Sequence, residues 1–164
     1  MLAAAGCAPS TPRPTGARVP LAVATPPPRV APPPAVDWRD WQVTPGTWSY
    51  AHDTRGSVAT FGQAGGEALA VLRCDAPNRR LFLSRAGALA SPFTVRTTSV
   101  VRQLPAGATG GEPPYAAVTL PANDPLLDAI AFSRGRFTLE QAGQPPLVLP
   151  AYAEVGRVIE DCRG

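Results

Sequence analysis

Arg136-Phe137-Thr138-Leu139-Glu140 alternates charged or polar residues with large apolar ones at a strict period of two. That is the period of a strand, because successive side chains leave opposite faces of the pleat. It predicts Phe137 and Leu139 on a buried face, with the charges outside. Phe93-Thr94-Val95-Arg96-Thr97-Thr98 repeats the pattern with Phe93 and Val95 inward. Leu81-Phe82-Leu83 and Ala68-Leu69-Ala70-Val71-Leu72 are apolar on both faces and read as central strands. Thr47–Tyr50, Ser57–Phe61, Tyr115–Leu120 and Leu147–Leu149 complete the set. Turn chemistry at Gly65-Gly66, Ala76-Pro77-Asn78, Ala86-Gly87 and Gly110-Gly111 separates them. Short strands with such spacing predict a mainly β (α+β) domain, an antiparallel β-sandwich or partly closed barrel.

Two segments leave this period and predict two short helices. In Asn123-Asp124-Pro125, the aspartate suits an N-cap and the proline a first helical position, with Leu126 and Ile130 on one face and Gly135 as the stop. From Ala153 to Cys162, Val155, Val158, Ile159 and Cys162 recur at helical spacing, one stripe to lay on the sheet.

Composition divides the 164-residue chain near residue 36, with ten of its 21 prolines before that point. Residues 1–36 carry Arg13, Arg18 and Arg29 and no acid, whereas residues 37–164 carry twelve arginines and twelve acids. A neutral domain is a poor nucleic-acid partner, which needs clustered excess cations. Proline fixes φ and lacks an N–H, so residues 8–36 read as a disordered, polyproline-like tether of about 3.1 Å per residue. Residues 37–164 form the single β-rich domain. Arginine replaces lysine throughout, since the chain has no lysine at all. No run of 18 apolar residues occurs that would span a bilayer.

The opening Met1-Leu2-Ala3-Ala4-Ala5-Gly6-Cys7 resembles the lipobox of bacterial lipoproteins. In that family the cysteine is acylated and becomes the mature N-terminus. The resemblance implies that residues 1–7 are the remnant of a lipoprotein signal whose start lies upstream, since a secretory signal needs a longer apolar stretch. It implies lipidation at Cys7, a membrane partner reached through the lipid, and a periplasm-facing position, in the first place at the outer membrane. With Cys7 so used, Cys74 and Cys162 remain as an even pair, and in an oxidising compartment they are expected to form a disulfide.

Residues able to carry out chemistry are few. His52, the one histidine, sits in a polar turn before Asp53, and no Gly-x-Ser-x-Gly elbow accompanies it. A hydrolase built around His52 would need a serine and a carboxylate against its ring. Asp37, Asp40, Glu160 and Asp161 read as solvated charges, so no metal or other cofactor is expected. All three tryptophans fall in one short stretch, as Trp38, Trp41 and Trp48, followed by Tyr50. Either these rings close one edge of the sheet and are buried, or they make an exposed ledge able to stack on a glycan or an envelope protein. Arg73, Arg79, Arg80, Arg85 and Arg96 come from neighbouring strands. Pointing outward together they could take an anion, while paired with acids they would form an ordinary solvated face.

Val43-Thr44-Pro45-Gly46-Thr47-Trp48-Ser49-Tyr50, Asn123-Asp124-Pro125-Leu126-Leu127-Asp128-Ala129-Ile130 and Glu160-Asp161-Cys162-Arg163 together resemble uncharacterised small envelope lipoproteins of alphaproteobacteria. That likeness implies a location and no activity. The order of strand, Leu72-Arg73-Cys74-Asp75, further strands and a final amphipathic helix is more distantly similar to the invasion-associated locus B family of envelope β-sandwiches. A lipobox joined to a compact disulfide-linked β domain is also similar to the small lipoprotein inhibitors of lysozyme, although Leu72 stands where those have their signature tyrosine. The resulting expectation is a non-catalytic, envelope-anchored lipoprotein with a binding or structural role. The alternatives are an inhibitor or ligand-binding module and a hydrolase using His52.

Overall fold

A computed structural model of the chain describes residues 37–164. The expected tether and Cys7 lie outside the described residues. A 3-10 turn, Trp38–Asp40, opens the domain. The strands follow as β1 (Thr47–Asp53), β2 (Gly56–Gly62), β3 (Ala70–Asp75), β4 (Arg80–Ala86), β5 (Phe93–Arg96), β6 (Val101–Leu104), β7 (Gly107–Ala108) and β8 (Tyr115–Pro121). After α1 (Pro125–Ala131) come β9 (Arg136–Gln141) and β10 (Leu147–Pro150), and α2 (Ala153–Arg163) closes the chain.

The strands make two antiparallel sheets. One is six-stranded, in the order β1-β2-β3-β4-β8-β7, and the other four-stranded, in the order β10-β9-β5-β6. The runs read as apolar on both faces do lie centrally, as β3 and β4. Period-two alternation decides which face is buried. Phe61, Leu72, Leu83 and Val118 on the larger sheet meet Phe93, Val95, Phe137, Leu139 and Leu149 on the smaller one in a single core. Burying a large aliphatic or aromatic side chain is worth about 1.5–3 kcal/mol, so this shared core accounts for the sandwich rather than two separate sheets. The barrel alternative is not realised, as the two sheets remain distinct.

Helix α2 packs against β1, β2, β3 and β4. Val155, Val158, Ile159 and Cys162 are its buried stripe, as the helical spacing predicts. Cys74 and Cys162 form a disulfide with a Cα–Cα separation of 5.4 Å and a sequence separation of 88. The first helix also starts as expected. Asp124 Oδ1 accepts the Leu126 N–H at 2.8 Å. The same carboxylate is gripped at both oxygens by Arg102, at 2.6 and 2.9 Å.

Strand β1 runs past Tyr50 to Asp53, so His52 lies in the strand and not in a turn, and two further boundaries shift for identifiable reasons. The strand read as Phe93–Thr98 stops at Arg96. The Thr97 hydroxyl accepts the N–H groups of Ser99 and Val100 at 3.2 and 2.9 Å, and this turns the chain into β6. The strand begun at Ala68 starts only at Ala70. Strands β6 and β7 do not show in the sequence pattern, being short edge strands with little buried surface.

Candidate functional site

The four rings of the expected ledge go to different places. Trp48 and Tyr50 share the inner face of β1, as their spacing requires. Trp48 is 4 % exposed and stacks at an angle on Phe61, ring centres 5.2 Å apart, so it belongs to the core and to no exposed ledge. Its indole N–H donates to the Pro150 carbonyl at 2.8 Å, tying β1 to the end of β10. Tyr50 lies under α2. Its hydroxyl donates to Asp161 at 2.7 Å, and the Arg157 guanidinium sits 4.1 Å over its ring. The Asp161 hydrogen bond, with burial behind it, holds the Tyr50 hydroxyl above its ordinary pKa. Burial acts to raise the Asp161 carboxyl. The Tyr50 and Ser57 hydroxyls and the charges of Arg157 and His52 outweigh it and leave this carboxyl below its usual range. Trp38 is half-buried beside the Arg39 guanidinium, 5.1 Å from its ring centre.

His52 is exposed on β1. Its side chain is hydrogen-bonded to no serine or carboxylate among the described residues. Among the described residues no three of His, Cys, Asp or Glu converge as metal ligands, and no helix is long and apolar enough to cross a membrane.

The five arginines read as one set disperse. Arg73 lies on the outer face of the larger sheet and pairs with Asp53 at 2.8 Å, and Arg96 lies on the outer face of the smaller sheet and pairs with Glu140 at 3.1 Å. Arg79, at φ 50°, and Arg80 mark the β3–β4 turn. Arg85 points inward and is 3 % exposed, contrary to any shared outward face. The strand period accounts for this, since Arg85 is two residues beyond Leu83 and four beyond Leu81.

Trp41 is the ring that lines a cavity. On the outer face of the smaller sheet, Gln103 of β6, Thr94 of β5 and Glu140 of β9 stand side by side in register. Trp41 and the β9–β10 turn, with Gln144, wall this row into a depression of about 470 Å3. Half-buried Trp41 is fixed from behind by Arg136, whose Nη1 donates to its carbonyl at 2.7 Å. Gln141, turned inward, clamps the turn by donating to the carbonyls of Leu89 and Ser91 at 2.7 and 3.1 Å. Glu140 Oε1 accepts from Arg96 Nε at 3.1 Å and from the Thr138 hydroxyl at 2.7 Å. Both bonds fall on one oxygen, so the second keeps its acceptor capacity. Glu140 is the one charged residue of the lining, and Arg96, its ion-pair partner at 3.1 Å, stands outside it. An aromatic face, two amides, a hydroxyl and an oriented carboxylate offer donors and acceptors of the kind that polyhydroxylated ligands match.

Gln103, Thr94, Glu140 and Gln144 were not singled out by the sequence. Alternation placed Thr94 and Glu140 on the outer face, but nothing local announced that β6 would add Gln103 beside them. No protein-family model matches this chain, and no curated protein or solved structure is similar to it.

Proposed function

We propose that this protein is a non-catalytic binding module held at the bacterial envelope through an acylated Cys7, and that its ligand is an envelope glycan seated in the Trp41 depression. The observation that carries the binding part is the polar row Gln103–Thr94–Glu140, its one carboxylate paired with Arg96, walled by Trp41. The envelope part is supported by the lipobox-like opening and by the Cys74–Cys162 disulfide, a bond that persists in oxidising compartments.

The test is calorimetric titration of the full chain with chitotriose, an uncharged N-acetylated oligosaccharide. Saturable heat is expected, weakened about tenfold, or about 1.4 kcal/mol, by Trp41→Ala. Binding unaffected by Trp41→Ala, or no heat at millimolar sugar, would overturn the glycan assignment. For the anchor, mass spectrometry of protein from its native host should show a lipid-bearing N-terminal fragment beginning at Cys7. An unmodified Met1 peptide as the dominant species would remove the anchor.

A further inference from the structure

A second cavity opens on the other side of the β9–β10 turn, and the charge beside it has no counter-ion. Arg85 extends from the inner face of β4 and donates through Nη1 to the Leu139 carbonyl at 2.8 Å and through Nη2 to that of Pro145. These two bonds use two of the five N–H groups of a guanidinium. Its Nε is buried with no acceptor. Among the described residues no carboxylate pairs with it. The ion pairs among the described residues are made by Arg39, Arg55, Arg73, Arg96, Arg102 and Arg163. Burial accordingly holds the Arg85 pKa below its ordinary value, with no neighbouring acid to restore it. Buried charges are normally paired, because a neutral carbonyl replaces only part of the hydration that has been lost.

The adjoining cavity has a volume of about 210 Å3 and is lined by Leu69, Arg85, Ala86, Gln144, Pro145 and Leu147. Counting about 30 Å3 per water, that is room for roughly seven waters or a ligand of similar bulk. Its polar side chains are those of Arg85 and Gln144, and its other side chains are aliphatic. The amide can lie here because residue 87 is glycine. A Cβ at Gly87, whose φ is +124°, would stand 2.5 Å from Gln144 Nε2. Such a site selects a monoanion that brings its own apolar portion. A strongly hydrated divalent anion would find too few donors, one guanidinium and one amide, to replace its hydration.

We infer that this cavity is a site for a carboxylate bearing a short aliphatic group, with the charge on the Arg85–Gln144 side and the aliphatic part against Leu69, Pro145 and Leu147. The same chemistry is offered by a free short-chain acid and by the C-terminal residue of a peptide. The site is distinct from the Trp41 depression and does not depend on the glycan reading. Gln144 lines both cavities, so the test turns on Arg85.

The Arg85 Nε–H resonance of the full chain is followed by NMR during titration with butyrate, N-acetylalanine and, as the uncharged control, butyramide, at fixed ionic strength. A saturable shift with a carboxylate and none with butyramide is expected. Tighter binding of N-acetylalanine than of butyrate assigns the chain-terminal source, and the reverse order assigns the free acid. Arg85→Gln should weaken the preferred ligand at least about tenfold. Equal shifts with butyramide, no saturable shift, or undiminished binding by folded Arg85→Gln would overturn the site. Should that variant not fold, the wild-type titration decides alone.

Discussion

Reducing the Cys74–Cys162 bond should strip the domain of a large part of its stability, and the structure sets the scale. The two cysteines are 88 residues apart in sequence. In the chain-entropy model a closed loop of that length removes about 15 cal/mol/K from the unfolded ensemble, or about 4.6 kcal/mol at 25 °C. Measured losses run from about 2 to 5 kcal/mol, because reduced chains keep residual structure. A domain of about 130 residues unfolds with an entropy near 0.27 kcal/mol/K. Cys162→Ser is therefore expected to lower Tm by about 7–17 °C. The loss should also be local. Helix α2 is held otherwise by one apolar stripe, by Asp161 and Arg157 on Tyr50, and by Arg163 on Asp128 and the Ala122 carbonyl. Amide exchange in Ala153–Arg163 should thus accelerate more than in β5 or β9. Differential scanning calorimetry with and without reductant, paired with hydrogen exchange, reads both effects. A Tm change under about 3 °C would refute the staple, and uniform exchange would refute its local action.

Asp124→Ala removes the α1 cap and the partner of Arg102, and should cost about 1–2 kcal/mol, seen as a Tm loss of about 4–8 °C. The hydrogen bonds from Arg102 lead in holding the Asp124 carboxyl below its usual range, against burial. Its folded pKa is thus below the unfolded one, so its contribution is present above about pH 4 and disappears as pH falls through the folded value. Wild type should accordingly lose more stability than Asp124→Ala between about pH 4 and 2 in denaturant titrations. Gly56→Ala should destabilise the β1–β2 hairpin, because φ is +141° and the added Cβ would lie 2.8 Å from the Cys74 carbonyl oxygen. Its Tm should fall while Gly156→Ala, whose Cβ meets nothing within 4 Å, gains about 1 kcal/mol. Trp48→Phe keeps most of the core volume and loses the bond to Pro150, an expected cost of about 1–3 kcal/mol by chemical denaturation.

The legible part of this fold was the part that rests on periodicity. Phe137 and Leu139, Phe93 and Val95, and the Val155–Cys162 stripe were placed correctly because each repeats at the spacing of its element. The Asp124-Pro125 start was legible because caps are local chemistry. Cys74 and Cys162 could be paired because they remained as an even pair once the lipobox resemblance set Cys7 aside. What escaped depended on partners distant in sequence. The depression needs Gln103 beside Thr94 and Glu140, a register formed only when β6 folds back on β5. The rings of the tryptophan stretch part company for a related reason. Its four rings are close in sequence, but Trp48 enters the core of one sheet while Trp41 is carried to the outer face of the other. Arg85 was grouped with its neighbours by composition, although strand parity already set it on the side of Leu81 and Leu83.

The larger sheet separates the device that stabilises it from the cavity that leaves a charge uncompensated. Cys74 stands opposite Leu81, and Ala70 opposite Arg85, so the two features occupy opposite ends of the β3–β4 pair. Four residues of strand at about 3.3 Å each put them roughly 13 Å apart. At that distance, with no shared partner, perturbations add. The disulfide and α2 fix the Cys74 end covalently. The Arg85 end is closed by the β9–β10 turn, and its guanidinium bonds reach Leu139 of the opposite sheet and Pro145 of that turn. The sandwich is therefore pinned at one end by a bond that needs no ligand. At the other end it is pinned by a cation with unspent donors, beside a turn that walls the Trp41 depression as well. Stability can be removed through Cys162 without touching either cavity. A change at Arg85 acts on the turn that both cavities share.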